Sequence, residues 1–315
     1  MIVYGTQDAG PAEYISRIIN NTDQKYLCFS SKISKIVFSK NNIPSQPLDF
    51  QLLVPEEIRF IIVGSSHNKN KLDYELLKWS KQNKIAAILV IEHWTNLKQR
   101  ISFIEKTFFP DQIWVNDSYV KENLVKLNVN KEVIKIVGNP VLEKQEKFLT
   151  NQYPKIFNKI IFISEEMNSD EINLKPKYGF DEYEVIDFIL KHRNPNTPFF
   201  IKLHPAENKL KYRNLTERPN INLIDDIELF EIGQKSLIIG MNSILLLELA
   251  LQGFSIYSYR PNQKEEFIGA KLNLTYNLNS AELISILKTH HFIKFNKKDI
   301  SFNGSMECIK KIIKK

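Results

Sequence analysis

Residues Ser236–Gly253 read SLIIGMNSILLLELALQG. An apolar run ends at Gly240, a tight turn passes through Asn242, and Ser243 opens a second apolar run that closes on Gly253. An apolar run without alternation marks a strand covered on both faces. Serine is a favoured helix N-cap, and glycine favours the position just past a helix end. The stretch therefore spells strand, turn and capped helix, the repeating unit of a parallel α/β sheet.

A companion run, Phe199–Leu203, ends in Lys202-Leu203-His204-Pro205. In open α/β sheets the carboxyl ends of the strands are where ligands bind. His204 brings an imidazole and Lys202 a cation, while Asn242 and Ser243 bring an amide and a hydroxyl. The helix start behind Ser243 adds N–H groups and the positive end of a dipole, a combination suited to phosphate. Pro205 holds His204 extended. Lys202 points away from its strand neighbour and so ranks second. Each residue also has a plainer reading: Ser243 as a cap alone, His204 as a strand end.

The same alternation runs through the chain. Strands are expected at Ile2–Tyr4, Tyr26–Phe29, Phe60–Val63, Ala86–Ile91, Gln112–Val115 and Val133–Val137. In the second half they are expected at Lys159–Ile163, Phe199–Leu203, Ile221–Leu223, Ser236–Ile239 and Ser255–Tyr259. Helical spacing falls at Ala12–Ile19, Leu72–Gln82, Leu97–Glu105, Ser118–Leu127, Glu182–Lys191, Ile227–Gln234, Ser243–Gln252 and Ala281–Leu287. With 315 residues, the chain is long enough for two cores. Gly138-Asn139-Pro140 and the polar stretch after it mark the boundary. The expectation is an N-terminal Rossmann-like domain over 1–145, a second over 155–300 and a basic helix over 301–315. The two doubly wound parallel-sheet domains would face each other across a cleft.

Hydrophobic residues make up 43% and charged residues 25%, the profile of a globular protein. The net charge of +7 reads either as a solvated surface or as attraction to an anionic partner. Cys28 and Cys308 have neither disulfide-scaffold nor metal-ligand spacing. With no signal-peptide pattern and no long apolar run, the expected location is cytoplasmic. In the tail, Met306, Ile309, Ile312 and Ile313 alternate with lysines. That helix would dock on the body or rest on the inner face of the membrane as a peripheral contact.

In the first half, Glu92-His93-Trp94-Thr95-Asn96 ends an apolar strand. Glu92 is a candidate general base, or else a helix-start acid ahead of a Thr95 cap. Asp8, Asp117, the Gly64-Ser65-Ser66-His67 turn, Glu165 and Glu166 are further loop candidates. There is no G-x-G-x-x-G, no phosphate-binding P-loop, no D-x-D, no H-E-x-x-H, no C-x-x-C and no G-x-S-x-G. No metal or bound cofactor is expected.

With these residues placed, the chain resembles glycosyltransferases of the two-Rossmann GT-B fold. It is most similar to bacterial enzymes that transfer nonulosonic acids (sialic, pseudaminic or legionaminic) or Kdo from CMP-activated donors. IWVNDSYVKENLVKLNVNKEVIKIVGNPVLEK resembles the stretch that closes the first GT-B domain. KLHP resembles the His-Pro motif of sialyl-, polysialyl- and Kdo transferases, and GMNSILLLELALQGFSIYSY resembles their serine motif and donor-domain segment. Phe254 and Ser255 stand where Gly-x-Pro is commoner.

The resemblance implies that His204 and Ser243 contact the donor phosphate, with Asn242 and Lys202 beside them. It places Glu165, in FISEE, near the nucleotide. IEHWTN resembles an Asp-His-Trp-x-Asn segment with Glu92 in place of Asp, and the usual acidic pair before glycine is missing. Glu92 is thus the implied base and His204 the group facing the leaving phosphate, with Asp8 or Asp117 as replacements for Glu92. Imidazole and helix dipole would do a metal ion's work on the leaving CMP, with either inversion or retention. The acceptor would be a glycan or lipid-linked glycan in capsule or lipopolysaccharide synthesis. Two alternatives stand beside this reading. One is a UDP-sugar-dependent GT-B transferase or 2-epimerase. The other is a non-enzymatic nucleotide- or nucleic-acid-binding protein.

Overall fold

The apolar runs assemble into two sheets of six strands each, parallel throughout, in a computed structural model of the chain. The structure describes all residues except 67–71, 103, 144–154, 166–178, 205–206, 209, 226–227, 230, 232–234, 263–265, 298–301 and 315. The chain divides into two compact units, one of residues 1–144 with 301–315 and one of residues 145–300.

Unit 1 contains strands β1 (Ile2–Thr6), β2 (Tyr26–Ser30), β3 (Phe60–Gly64), β4 (Ala86–Ile91), β5 (Gln112–Val115) and β6 (Ile134–Ile136). Its helices are α1 (Ala9–Asn20), α2 (Lys32–Lys40), α3 (Leu72–Gln82), α4 (Leu97–Ser102) and α5 (Ser118–Lys126). The strand order is β2-β1-β3-β4-β5-β6, so the winding reverses between β1 and β3. β1, β3 and β4 are apolar and buried along nearly their whole length, as strands covered on both faces must be.

Unit 2 contains β7 (Lys159–Ile163), β8 (Phe199–Lys202), β9 (Ile221–Ile224), β10 (Ser236–Gly240), β11 (Ile256–Tyr259) and β12 (Tyr276–Leu278). Helices α6 (Glu182–His192), α7 (Arg213–Thr216), α8 (Ile244–Leu251), α9 (Ile268–Lys271) and α10 (Ser280–Thr289) accompany them. The order β12-β11-β10-β7-β8-β9 reverses between β7 and β10. Such a reversal opens a crevice at the carboxyl ends of the strands, the ligand position of doubly wound sheets.

Sequence boundaries and observed ones agree closely at the strands. β4, β5 and β7 coincide with the expected runs, and the other expected strands shift by one or two residues. α2, α7, α9 and β12 were not expected. β12 reads Tyr-Asn-Leu, too short and polar to stand out, and lies at a sheet edge. α2 buries only Ser34 and Phe38, so no apolar stripe announces it. α4 ends at Ser102, short of Glu105. Much of the helix expected over Ile227–Gln234 lies outside the described residues, as do His67, Pro205, Glu166 and most of the linker.

The C-terminal segment does not stand apart. Helix α11 (Ser305–Lys314) buries Ile309 and Ile313 in the unit 1 core with Tyr4, Ile62, Ile88 and Trp114. Met306 and Ile312 pack against the same cluster. Of the two expectations for this helix, docking on the body is the one observed: its apolar face is spent on the core. Gly138 makes this docking possible. It adopts φ +83°, and a Cβ there would lie 2.0 Å from Ser305 Oγ. No helix among the described residues is long and apolar enough to cross a membrane.

Candidate functional site

The register of unit 2 aligns Gly240 with Ile163 and Ile163 with Lys202. The residues that follow β7, β8 and β10 therefore emerge side by side at one sheet edge. Ser164 and Glu165 leave β7, Leu203 and His204 leave β8, and Met241, Asn242 and Ser243 leave β10. Because β7 lies between the other two, the loops carrying His204 and Ser243 rise about 10 Å apart.

Glu165 occupies the reversal point itself. Its carboxylate accepts the backbone N–H of Asn242. Burial pushes its pKa up to about 7, against the pull of hydrogen bonds from the Asn242 and Ser243 backbone N–H groups. The backbone N–H groups just ahead of the α8 start are thus already held by an acid. Arg260, following β11, donates to Asn242 Oδ1 at 2.9 Å, and Ser258 Oγ donates to the Met241 carbonyl at 2.8 Å. Ser243 Oγ accepts the Leu245 N–H at 3.3 Å, so it does cap α8.

His204 is exposed, and its backbone N–H donates to Glu207 Oε2 at 2.7 Å. Glu207 also accepts from Ser164 Oγ at 2.9 Å, which lies 2.7 Å from Tyr212 Oη. Lys211 Nζ donates to both Glu207 and Glu182. Glu207 thereby ties the His204 loop to the end of β7 through a largely buried network in which one ammonium serves two carboxylates. Lys202 is buried and donates to the Leu203 carbonyl at 2.9 Å.

In unit 1 the carboxyl edge gathers a second set of acids. Glu92, following β4, is buried, and burial raises its pKa while Arg100 works in the opposite direction. Arg100 Nη1 lies 3.7 Å from Glu92 Oε1 and donates to the Ser65 carbonyl and Oγ at 2.9 and 3.0 Å. Asp73 accepts the Ser66 N–H and Oγ–H, each at 2.9 Å, and burial lifts its pKa to about 6. Gly10, in the first turn of α1, lets the helix approach Glu92; a Cβ there would lie 3.0 Å from Glu92 Oε1. Glu92 Oε2, Asp73 Oδ1 and Asn116 Oδ1 are buried without a hydrogen-bond partner among the described residues. Unpartnered acceptors at a sheet edge suit a ligand that donates hydrogen bonds.

Two expectations for this edge need correction. Asp117 is committed to structure: Oδ1 accepts the Val120 N–H at 3.0 Å and Oδ2 accepts Trp94 Nε1–H at 2.6 Å. It is therefore a poor replacement for Glu92. Thr95 is not a helix cap, since its hydroxyl lies 2.8 Å from His93 Nδ1 and α4 begins at Leu97. Asp8 precedes α1 and lies close enough to raise the pKa of both Glu92 and Asp73. Arg100, Asp73, Arg260 and Glu207 were not singled out from sequence. Arg260 follows a strand end, the same signal that marked Glu92. Glu207 stands three residues after His204, the spacing of a local backbone cap. Arg100 and Asp73 lie within helices and carry no such mark.

No family model matches the chain, and no match to it was found among the curated proteins. Solved structures are. The UDP-GlcNAc 2-epimerase of Methanocaldococcus jannaschii, in complex with UDP-GlcNAc and UDP, aligns over 99% of both chains with a TM-score of 0.68 at 16% identity. The UDP-GlcNAc 2-epimerase of Neisseria meningitidis, bound to UDP-GlcNAc, aligns over 100% of both with a TM-score of 0.61 at 12% identity. The lipopolysaccharide outer core galactosyltransferase WaaB, in its apo form, aligns over 99% of both with a TM-score of 0.51 at 11% identity. At these identities the likeness establishes the fold: two Rossmann-like domains of the GT-B type.

Proposed function

We propose that this chain is an enzyme of nucleotide-activated sugars and that its substrate is a UDP-sugar, held through the nucleotide by unit 2. The observation that carries this reading is the meeting of Glu165, Asn242, Ser243 and Arg260 at the β7/β10 reversal, with His204 on the next loop. Doubly wound sheets bind nucleotides at that point. UDP-GlcNAc is bound in two of the similar structures. That favours a UDP-sugar over the CMP-sugar implied by the His-Pro motif. In this reading Arg260 supplies positive charge to the phosphates, His204 an imidazole beside them, and Ser243 a hydroxyl at the helix start.

Glu92 is assigned the proton transfer. A buried carboxyl with a raised pKa and one unpartnered oxygen is suited to accept and return a proton. Asp73 and Asn116 add acceptors for sugar hydroxyls. An epimerase needs several acids around one sugar, and Asp8, Asp73 and Glu92 supply acids at one sheet edge. Transfer to an acceptor needs only one base. The two reactions differ in product: an isomeric UDP-sugar in the first, released UDP in the second.

The test is a calorimetric panel of UDP, CDP, CMP and GDP with chelator present, followed by incubation with UDP-sugars. The expected result is tightest binding by UDP. Binding by CMP alone would overturn the UDP assignment and restore CMP-sugar transfer. Binding by none of the four would remove the nucleotide site.

A further inference from the structure

The net charge of the chain belongs to one unit. Unit 1 contains 23 Lys and Arg against 16 Asp and Glu, whereas unit 2 contains 20 of each. The excess is thus remote in sequence from the nucleotide-binding residues and calls for its own explanation. Helix α2 supplies one. Its sequence is KISKIVFSK, with three lysines and no acid. At 3.6 residues per turn, Lys35, Lys32, Ile36, Lys40 and Ile33 occupy one arc of about 160°. Ser34 and Phe38, on the opposite side, are the residues it buries.

On that outer arc Ile33 is 55% exposed and Ile36 is 69% exposed. The three lysines are exposed as well and make no ion pair among the described residues. Isoleucines three apart share a helix face, and here Lys40 falls between them in the arc while Lys32 and Lys35 lie on the Ile36 side. Two large apolar side chains held in water beside three cations do not suit a simple solvated face. They suit a surface with anionic heads above an apolar layer, where the isoleucines enter the acyl boundary and the lysines meet the phosphates. Nucleic acid would use the cations but offer nothing to the isoleucines. The tail helix α11, by contrast, has no comparable apolar face to give, because Ile309 and Ile313 are buried.

We propose that unit 1 docks on an anionic phospholipid bilayer through the outer face of α2, with Ile33 and Ile36 inserted and Lys32, Lys35 and Lys40 on the head groups. The inference is independent of the nucleotide site and stands or falls separately from it.

The experiment is vesicle flotation of the full chain. It compares phosphatidylcholine alone with phosphatidylcholine containing one-third phosphatidylglycerol, at about 0.1 M and about 0.5 M NaCl. The wild-type chain is expected on the anionic vesicles only, and less of it at high salt. A lysine near such a surface strengthens partition about fivefold, so Lys32→Glu with Lys35→Glu should lose at least about twentyfold. Ile33→Ser with Ile36→Ser should lose at least about tenfold at unchanged charge. Lys131→Glu with Lys135→Glu, an equal charge change on exposed residues by β6, is the control and should lose far less. Equal losses in the two lysine pairs would overturn the proposal in favour of non-specific attraction. So would wild-type flotation by the isoleucine variant, or no flotation at all. Retention on RNA filters abolished by the α2 lysine variant but not by the isoleucine variant would replace lipid with nucleic acid. A change from dimer to monomer in the isoleucine variant, with no lipid effect, would make the face a self-association surface.

Discussion

The Glu165 carboxylate accepts the Asn242 backbone N–H, so an acid of the chain already fills the turn where a phosphate is expected. A bound phosphate and an ionised Glu165 compete for the same donors. Nucleotide affinity should therefore rise as pH falls through about 7, where Glu165 becomes neutral. In Glu165→Gln the nucleotide should bind more tightly at high pH, and the part of the pH slope due to Glu165 should vanish. Calorimetry with UDP between about pH 6 and about pH 8 reads this directly. An unchanged slope in the variant would assign Glu165 a purely structural part.

The same burial sets a stability trend. Glu165 is raised from its ordinary 4.5 to about 7, and Asp73 from 3.8 to about 6. Between the lower and upper values the folded chain holds a proton that the unfolded chain has lost, so stability falls as pH rises through each window. Thermal melts of Asp73→Asn should gain on the wild type from about pH 4 to about pH 6. Melts of Glu165→Gln should gain from about pH 4.5 to about pH 7. Differences that stay flat with pH would mean that neither carboxyl is held neutral by the fold.

Ser243 has two assigned duties that substitution can separate. As a cap it is worth about 1 kcal/mol, which Ser243→Ala loses and Ser243→Gly largely keeps. As a phosphate ligand its hydroxyl is missing from both variants. Chemical denaturation should rank Gly above Ala, while UDP affinity should fall alike in the two. If affinity instead tracked stability, the hydroxyl would be a cap alone.

How much of this was legible follows from where each signal lies. Strand ends are marked by the stop of an apolar run, so the sequence alone places His204, Asn242, Ser243, Glu92 and Glu165 at sheet edges. It does not place the reversal points, because strand order depends on which runs pair, and pairing is not written in a local pattern. That is why Glu165 and Asn242, 77 residues apart, could not be matched as partners from sequence. Arg100 and Asp73 were hidden for a related reason: a charged residue inside a helix reads as a surface residue until its helix is docked. The tail helix shows the converse. Its apolar stripe was clear, but the surface that covers it could be found only in the folded unit.

The final prediction concerns Glu207, which the structure makes a positioning residue rather than a ligand. Its Oε2 holds the His204 N–H, and its Oε1 holds Ser164, while Lys211 joins it to Glu182. Glu207→Gln removes one of the two carboxylates that Lys211 serves but keeps one acceptor of similar shape. It should loosen the His204 loop, so UDP binding should weaken several-fold without loss of fold. The pairing of this variant with His204→Ala tests the route of the effect. If Glu207 works through His204, the double variant should bind no more weakly than His204→Ala alone. Additive losses would show that Glu207 acts on the nucleotide by a path of its own, and a normal affinity in Glu207→Gln would show that the loop keeps its place without it.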